Sequence, residues 1–319
     1  MGFDNLLPIK KQGLWEYINR SGELVIKPQF KDAYSFADGY AVVKGKDDKE
    51  IYIDESLQPA PFQFDEIEVF RKGIARVRVD AKWGLINTQG DFVLPPEFTN
   101  IGFPGGELIE AKKTGHWGFF NAKGQQELGF DYADTNGFSE GLAAIKMGDK
   151  WGYIDTRGRH ASDFIFKTAG VFSEGMADVL PSKKLLFFDV SKAYGYIDRK
   201  GHLAIEPTFD LAFHFSEGLA TVKKNFKWGF IDSFGELVID YQFDDVEEFS
   251  GGACAVAKDG KWFLIDKNGH TIDSRVYPDL GIYDEGIFQI NGVEKIGSEW
   301  LETIGYVESS GRVIWEPTG

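Results

Sequence analysis

The chain has 319 residues, of which 43% are hydrophobic, with 50 acidic against 35 basic side chains and a formal net charge of −15. Phosphate binding needs a basic face, so this balance argues against nucleic acid and against anionic membranes as partners. One cysteine excludes an internal disulfide framework, and nothing approaches the run of about 18 apolar residues that a spanning helix needs.

Aromatic residues make up 15% of the chain, and there are 38 glycines. Aromatic and β-branched side chains suit strands, and frequent glycines suit tight turns. The opening stretch, MGFDNLLPIKKQG, has no basic segment followed by an apolar one, so no export signal is expected and a cytoplasmic location follows.

From Trp15 onward a short pattern recurs. It is written KWGLI at Trp83, HWGFF at Trp117, KWGYID at Trp151, KWGFID at Trp228 and KWFLID at Trp262, with Glu50 and Tyr194 in equivalent places. Successive copies lie 33 to 35 residues apart, except for a step of 43 between Trp151 and Tyr194. A degenerate ninth copy, IGYVESSGRVIWEP, has Ile304 in the Trp place. A second marker, F-x-x-G, keeps the same beat and ends at Gly39, Gly73, Gly106, Gly141, Gly175, Gly218, Gly252 and, with Tyr in the Phe place, Gly286. Two markers in phase over nearly the whole chain define a tandem repeat.

Each unit reads as a meander. In GLATVKK (218–224) side chains alternate, KWGFID (227–232) is aromatic and β-branched, Gly235 supplies a turn, and ELVIDYQF (236–243) is a third strand. DDVEEF (244–249) adds a short strand before the next F-x-x-G. Equivalents of the third strand carry Pro28, Pro96 and Pro207, which ends pairing or places it at an edge. One meander cannot bury both faces alone, so the aromatic hexamer is expected to plug the neighbouring unit, and the Gly after Trp to admit a close backbone.

The composite unit, FSEG-LAxVxx then KWGYIDxxGxLVIxPxFDxAxx, resembles the WG-repeat family of bacterial proteins over about residues 6–317. Departures are Glu16 for Gly, Glu50-Ile51 for both letters, Tyr194 for Trp and Phe263 for Gly. The resemblance implies β-rich tandem units and, for most members, no established activity. The expected fold is therefore all-β, about nine antiparallel units of ~34 residues in one domain over 1–319, closed as a β-propeller. The alternative is an open β-solenoid or superhelix. An insertion occupies 180–193, and 291–319 reads as a degenerate C-terminal capping unit.

Chemistry is sparse. Cys254 stands at a small core position, and His116, His160, His202, His214 and His270 have no metal-ligand spacing, so neither a metal nor a cofactor is expected. Asp155, Asp198, Asp232 and Asp266 recur after the hexamer, and Glu140, Glu174, Glu217 and Glu285 recur within F-x-x-G. Catalytic carboxylates differ from one another by environment, whereas these repeat, so they read as turn caps. The structural positions of the repeat are Trp15, Trp83, Trp117, Trp151, Tyr194, Trp228, Trp262 and the glycines Gly39, Gly73, Gly141, Gly175, Gly218, Gly252 and Gly286. Binding candidates are the unpatterned acids Asp244, Asp245, Glu247 and Glu248 and the apolar centre of the insertion, Leu185, Leu186, Phe187 and Phe188.

The functional expectation is a non-enzymatic module whose acidic surface holds a basic protein, in one version an immunity-type inhibitor of a toxin. A glycan or cell-envelope ligand held on aromatic platforms is the alternative, and a hydrolase in a propeller cleft the third.

Overall fold

The computed structural model describes residues 5–104, 106–182, 192–296 and 298–317, and every regular element among them is a β-strand. The seventh unit illustrates the plan. Strands Leu211–Ser216, Leu219–Lys224, Lys227–Ile231 and Leu237–Phe243 pair antiparallel in chain order. The short stretch before F-x-x-G is thus the first strand of the following unit.

Local chemistry sets each turn. In F-x-x-G the third residue and the glycine both take positive φ, 52° at Glu217 and 88° at Gly218, which is the type I′ turn favoured by the twist of a hairpin. Between the third and fourth strands, the Asp232 carboxylate accepts the N–H groups of Phe234 and Glu236, each at 2.9 Å. Asp155, Asp198 and Asp266 make the same cap, as their recurrence in the sequence led us to expect, and Asp54, Asn87 and Asn121 do so as well. The glycine after Trp has a different cause. The fourth strand shifts register beside it, and a Cβ on Gly229 would lie 2.7 Å from the Ile239 carbonyl oxygen; on Gly195 it would lie 2.5 Å from that of Ile205.

Nine units follow one another, over 7–30, 32–60, 66–98, 100–132, 134–166, 168–209, 211–243, 245–277 and 280–315. The fifth and sixth share one sheet, because strand Phe166–Ala169 pairs on both edges. The ninth has a long central hairpin, Ile287–Ile296 with Glu299–Glu308.

The deepest plug is the residue two places beyond Trp. Tyr17, Tyr52, Leu85, Phe119, Tyr153, Tyr196, Phe230, Leu264 and Tyr306 are all fully buried, whereas Trp15, Trp83, Trp151, Tyr194 and Trp262 are only half-buried. Trp117 and Trp228 are buried. The sequence reading placed the plug on the aromatic hexamer; within it the deepest residue is the one two places beyond Trp, because Trp sits near the strand end, beside solvent. Six of the plugs, Tyr17, Tyr52, Phe119, Tyr153, Tyr196 and Phe230, meet the F-x-x-G ring of the next unit edge-on or tilted, as in Tyr153 with Phe172 at 4.9 Å and Phe230 with Phe249 at 5.1 Å. Where the plug is Tyr, its hydroxyl also donates to a carbonyl in or just after the next first strand: Tyr17 to Tyr34, Tyr153 to Gly170 and Tyr196 to Phe213, at 2.7 to 2.8 Å.

Nine clusters of buried side chains result, one at each junction between neighbouring units. The ninth joins the two ends: Leu7, Ile9 and Ile18 pack on Ile287, Tyr306 and Ile314. Tyr306 donates to the Pro8 carbonyl at 2.7 Å, and Arg20 pairs with Asp284 at 3.0 Å. The stack is therefore a closed, propeller-like ring, which rules out the open array. Among the described residues no strand is exchanged between the first and last sheets.

Candidate functional site

In a closed ring, equivalent atoms of adjacent units approach each other only near the axis. The F-x-x-G turns do so. The Gly218 N–H donates to the Glu174 carboxylate at 2.9 Å, Gly252 to Glu217 at 2.9 Å, Gly175 to Glu140 at 3.0 Å and Gly141 to Glu107 at 2.7 Å. Asp38 receives Gly73 in the same way. Serine hydroxyls add a second latch, as from Ser173 to the Phe215 carbonyl at 2.7 Å. Three of the four recurrent glutamates, Glu140, Glu174 and Glu217, thus stitch one unit to the next. Their acceptors are taken up by the fold.

The first strands and the middle residues of the second strands lie beside this latch, and there the units differ. The middle position is Val42, Arg76, Glu110, Ala144, Asp178, Thr221, Ala255 and Gln289 in units two to nine. Between units seven and eight a cleft of about 320 Å³ is lined by Phe213, His214, Thr221, Val246, Glu247 and Glu248. His214 Nε2 and the Glu248 carboxylate form an ion pair. That contact raises the imidazole pKa, with the charges of Asp178 and Glu174 adding to it, and it holds Glu248 below the usual carboxylate range. Glu247 moves the other way, raised by burial and then by the charges of Asp245, Glu248 and Asp279. Burial pushes Asp178, in the preceding unit, up to about 6, although its own N–H and His214 work against that. Phe213 is 52% exposed and stacks by one face on Trp228, with ring centroids 5.4 Å apart.

The four predicted acids therefore divide. Glu247 and Glu248 enter the cleft. Asp244 is a structural cap that accepts the Asp259 N–H at 2.7 Å and pairs with Lys227, as Asp210 accepts the Asn225 N–H. Asp245 accepts the Val246 N–H beside it. Leu185, Leu186, Phe187 and Phe188 lie outside the described residues. Cys254 is fully buried, and burial raises its thiol pKa far above the ordinary value. Phe213, His214, Thr221 and Asp178 were not picked out from the sequence. The signal for the last two was a polar residue at a position that is Ala or Val in units two, five and eight.

A second axial cleft, of about 360 Å³, lies among units two to four, where Tyr34, Ile67, Arg71 and Phe103 meet. Phe103 opens the F-x-x-G marker of the fourth unit, yet it is 61% exposed while its counterparts Phe70, Phe138 and Phe172 are buried. It lies over Arg76, which also covers Trp83 and pairs with Glu68. This cleft is aromatic and carries both charges, Glu50 and Glu68 as well as Arg71, whereas at the cleft of units seven and eight Glu247 and Glu248 face the single cationic group His214. Among the described residues no group of three or more His, Cys, Asp or Glu side chains is placed to hold a metal.

Radially arranged antiparallel sheets closed end to end define the class as propeller-like. The crystal structure described as that of the eukaryotic initiation factor superposes with a TM-score of 0.61 at 13% identity, covering 96% of this chain and 93% of that one. Looser matches are apo AztD from Citrobacter koseri (TM-score 0.46, 11% identity, 97% and 92% covered) and the WD40 β-propeller domain of Doa1 (0.36, 10%, 95% and 96%). Within that class, the chain belongs to the WG containing repeat family, whose model matches residues 17–49, 60–83, 83–115, 117–151, 151–180, 194–228 and 228–262. No curated protein sequence matches it.

Proposed function

We propose that the protein is a non-enzymatic binding module that holds a basic protein against the acidic side of its axial face, in its most specific form as an inhibitor of a basic effector or toxin. One observation carries the reading. The recurrent carboxylates Glu140, Glu174 and Glu217 are engaged by backbone N–H groups, whereas Glu247 and Glu248, outside the repeat pattern, face a cleft beside Asp178 and an exposed phenyl ring. A net charge of −15 supplies long-range attraction for such a partner. The unlike pair at 247 and 248 is one unengaged acceptor and one member of an ion pair, which suits holding a cation better than protonating a leaving group. Lysines lie over Trp15, Trp117 and Trp228, so these rings offer little free platform for a sugar.

Co-purification with the products of neighbouring coding regions tests the reading. A basic partner should be retained at about 50 mM salt and released near 500 mM, where screening shortens the reach of charge to a few ångström. Recovery of no partner at low salt would count against it.

A further inference from the structure

We propose that the cleft between units seven and eight receives a single arginine side chain of the partner, with Glu247, Glu248 and Thr221 as acceptors and Phe213 as the stacking face. The proposal rests on the binding reading above and narrows it.

Thr221 is the observation independent of charge. It is only 5% exposed and lines the cleft, and its hydroxyl makes no hydrogen bond among the described residues. The fifth and eighth units have Ala at this position, so the seventh alone of the three presents an unpartnered hydroxyl to its cleft, open to whatever fills it. The Glu247 carboxylate likewise has no donor among the described residues, in contrast to the stitched glutamates of the latch. His214 occupies one side of Glu248, whose carboxylate has further lone pairs to offer.

The Glu247 and Glu248 carboxylates call for a ligand with several donors and a positive charge, and the Thr221 hydroxyl can accept one donor more. A guanidinium supplies these, with five N–H groups in a plane. Phe213 has one face on Trp228 and the other open, and a flat, weakly hydrated cation stacks on such a face better than an ammonium does. Val246 completes an apolar wall for the methylene stem.

The test titrates the full chain with N-acetyl-arginine amide, its lysine counterpart and its citrulline counterpart, the last matching arginine in shape without the charge. Saturation-transfer NMR reports binding, and thermal unfolding checks that variants are intact. Arginine amide should bind, citrulline amide should give no saturable signal, and lysine amide should bind at least about threefold more weakly. Glu247→Gln should weaken arginine binding by about tenfold, with a melting temperature equal to or above that of the parent chain, and Thr221→Val should weaken it by about threefold without lowering the melting temperature. Equal binding of citrulline amide, or an unchanged affinity in Glu247→Gln, overturns the site; equal binding of lysine amide overturns the choice of guanidinium. If low-salt capture of a basic partner persists while arginine amide is silent, this inference fails and the broader reading stands. If capture fails too, both fall.

Discussion

The glutamates of the F-x-x-G turns and the acids of the axial cleft are chemically alike and lie close together, yet they do opposite things to the fold. Glu174 and Glu217 accept backbone N–H groups of the following unit at 2.9 Å, so their charge is solvated by the protein and joins two sheets. Asp178 and Glu247 are held where burial disfavours their charge, with little to offset it. A carboxylate in this ring is stabilising when it faces a turn and destabilising when it faces the cleft. Residue type alone cannot separate the two; the identity of the donor can.

That contrast gives predictions of opposite sign. The largest is at Asp178. Its folded pKa of about 6 stands above the ordinary 3.8, so the folded state binds the extra proton: stability falls as pH rises between those values and the loss is complete above 6. Asp178→Asn imitates the protonated form and should therefore stabilise the protein at pH 8, by up to about 3 kcal/mol if two pKa units are worth about 1.4 kcal/mol each. The gain should fade below pH 4, as urea unfolding at several pH values would reveal; a destabilised variant at pH 8 would contradict the contrast. Next in size, Glu217→Ala removes a latch and should cost about 2 kcal/mol, the scale of a hydrogen bond to a charged group, with arginine binding unaffected. Loss of binding together with stability would merge the two regions into one. The smallest effect concerns a turn on neither side of the comparison. Phe226 has φ of 67° and is 89% exposed where the first, fourth and eighth units place Gly13, Gly115 and Gly260. Phe226→Gly should raise stability by about 1 kcal/mol through relief of strain, measured as a shift in the unfolding midpoint.

The fold was legible in the sequence wherever a backbone requirement leaves one residue type. Positive φ at Gly218 and Gly252, the register shift beside Gly229 and the cap at Asp232 each leave a letter that recurs, so the period, the hairpins and the strand order could be read directly. Closure could not, because it depends on shape agreement between Leu7 and Ile9 at one end and Tyr306 and Ile314 at the other, and no motif encodes that. The marker also misled once. FPGG satisfies F-x-x-G in letters, but Phe103 is exposed and Glu107, not the residue before Gly106, makes the latch to Gly141. At Glu16, where Gly is missing, a carboxylate is buried instead, and burial raises its pKa. The candidate site was half legible: Glu247 and Glu248 stood out as unpatterned acids, whereas Phe213 and Thr221 gain their meaning only from which side chains surround them.

Among the described residues the first and last sheets meet through side-chain contacts and share no strand, so the circle has eight joints with a peptide link and one without. The unlinked joint uses the same kind of plug as the others, so circumference is limited by how well neighbouring faces fit and not by where the polypeptide starts. Adding or deleting one module would leave every local contact intact and alter only the angle each wedge must span.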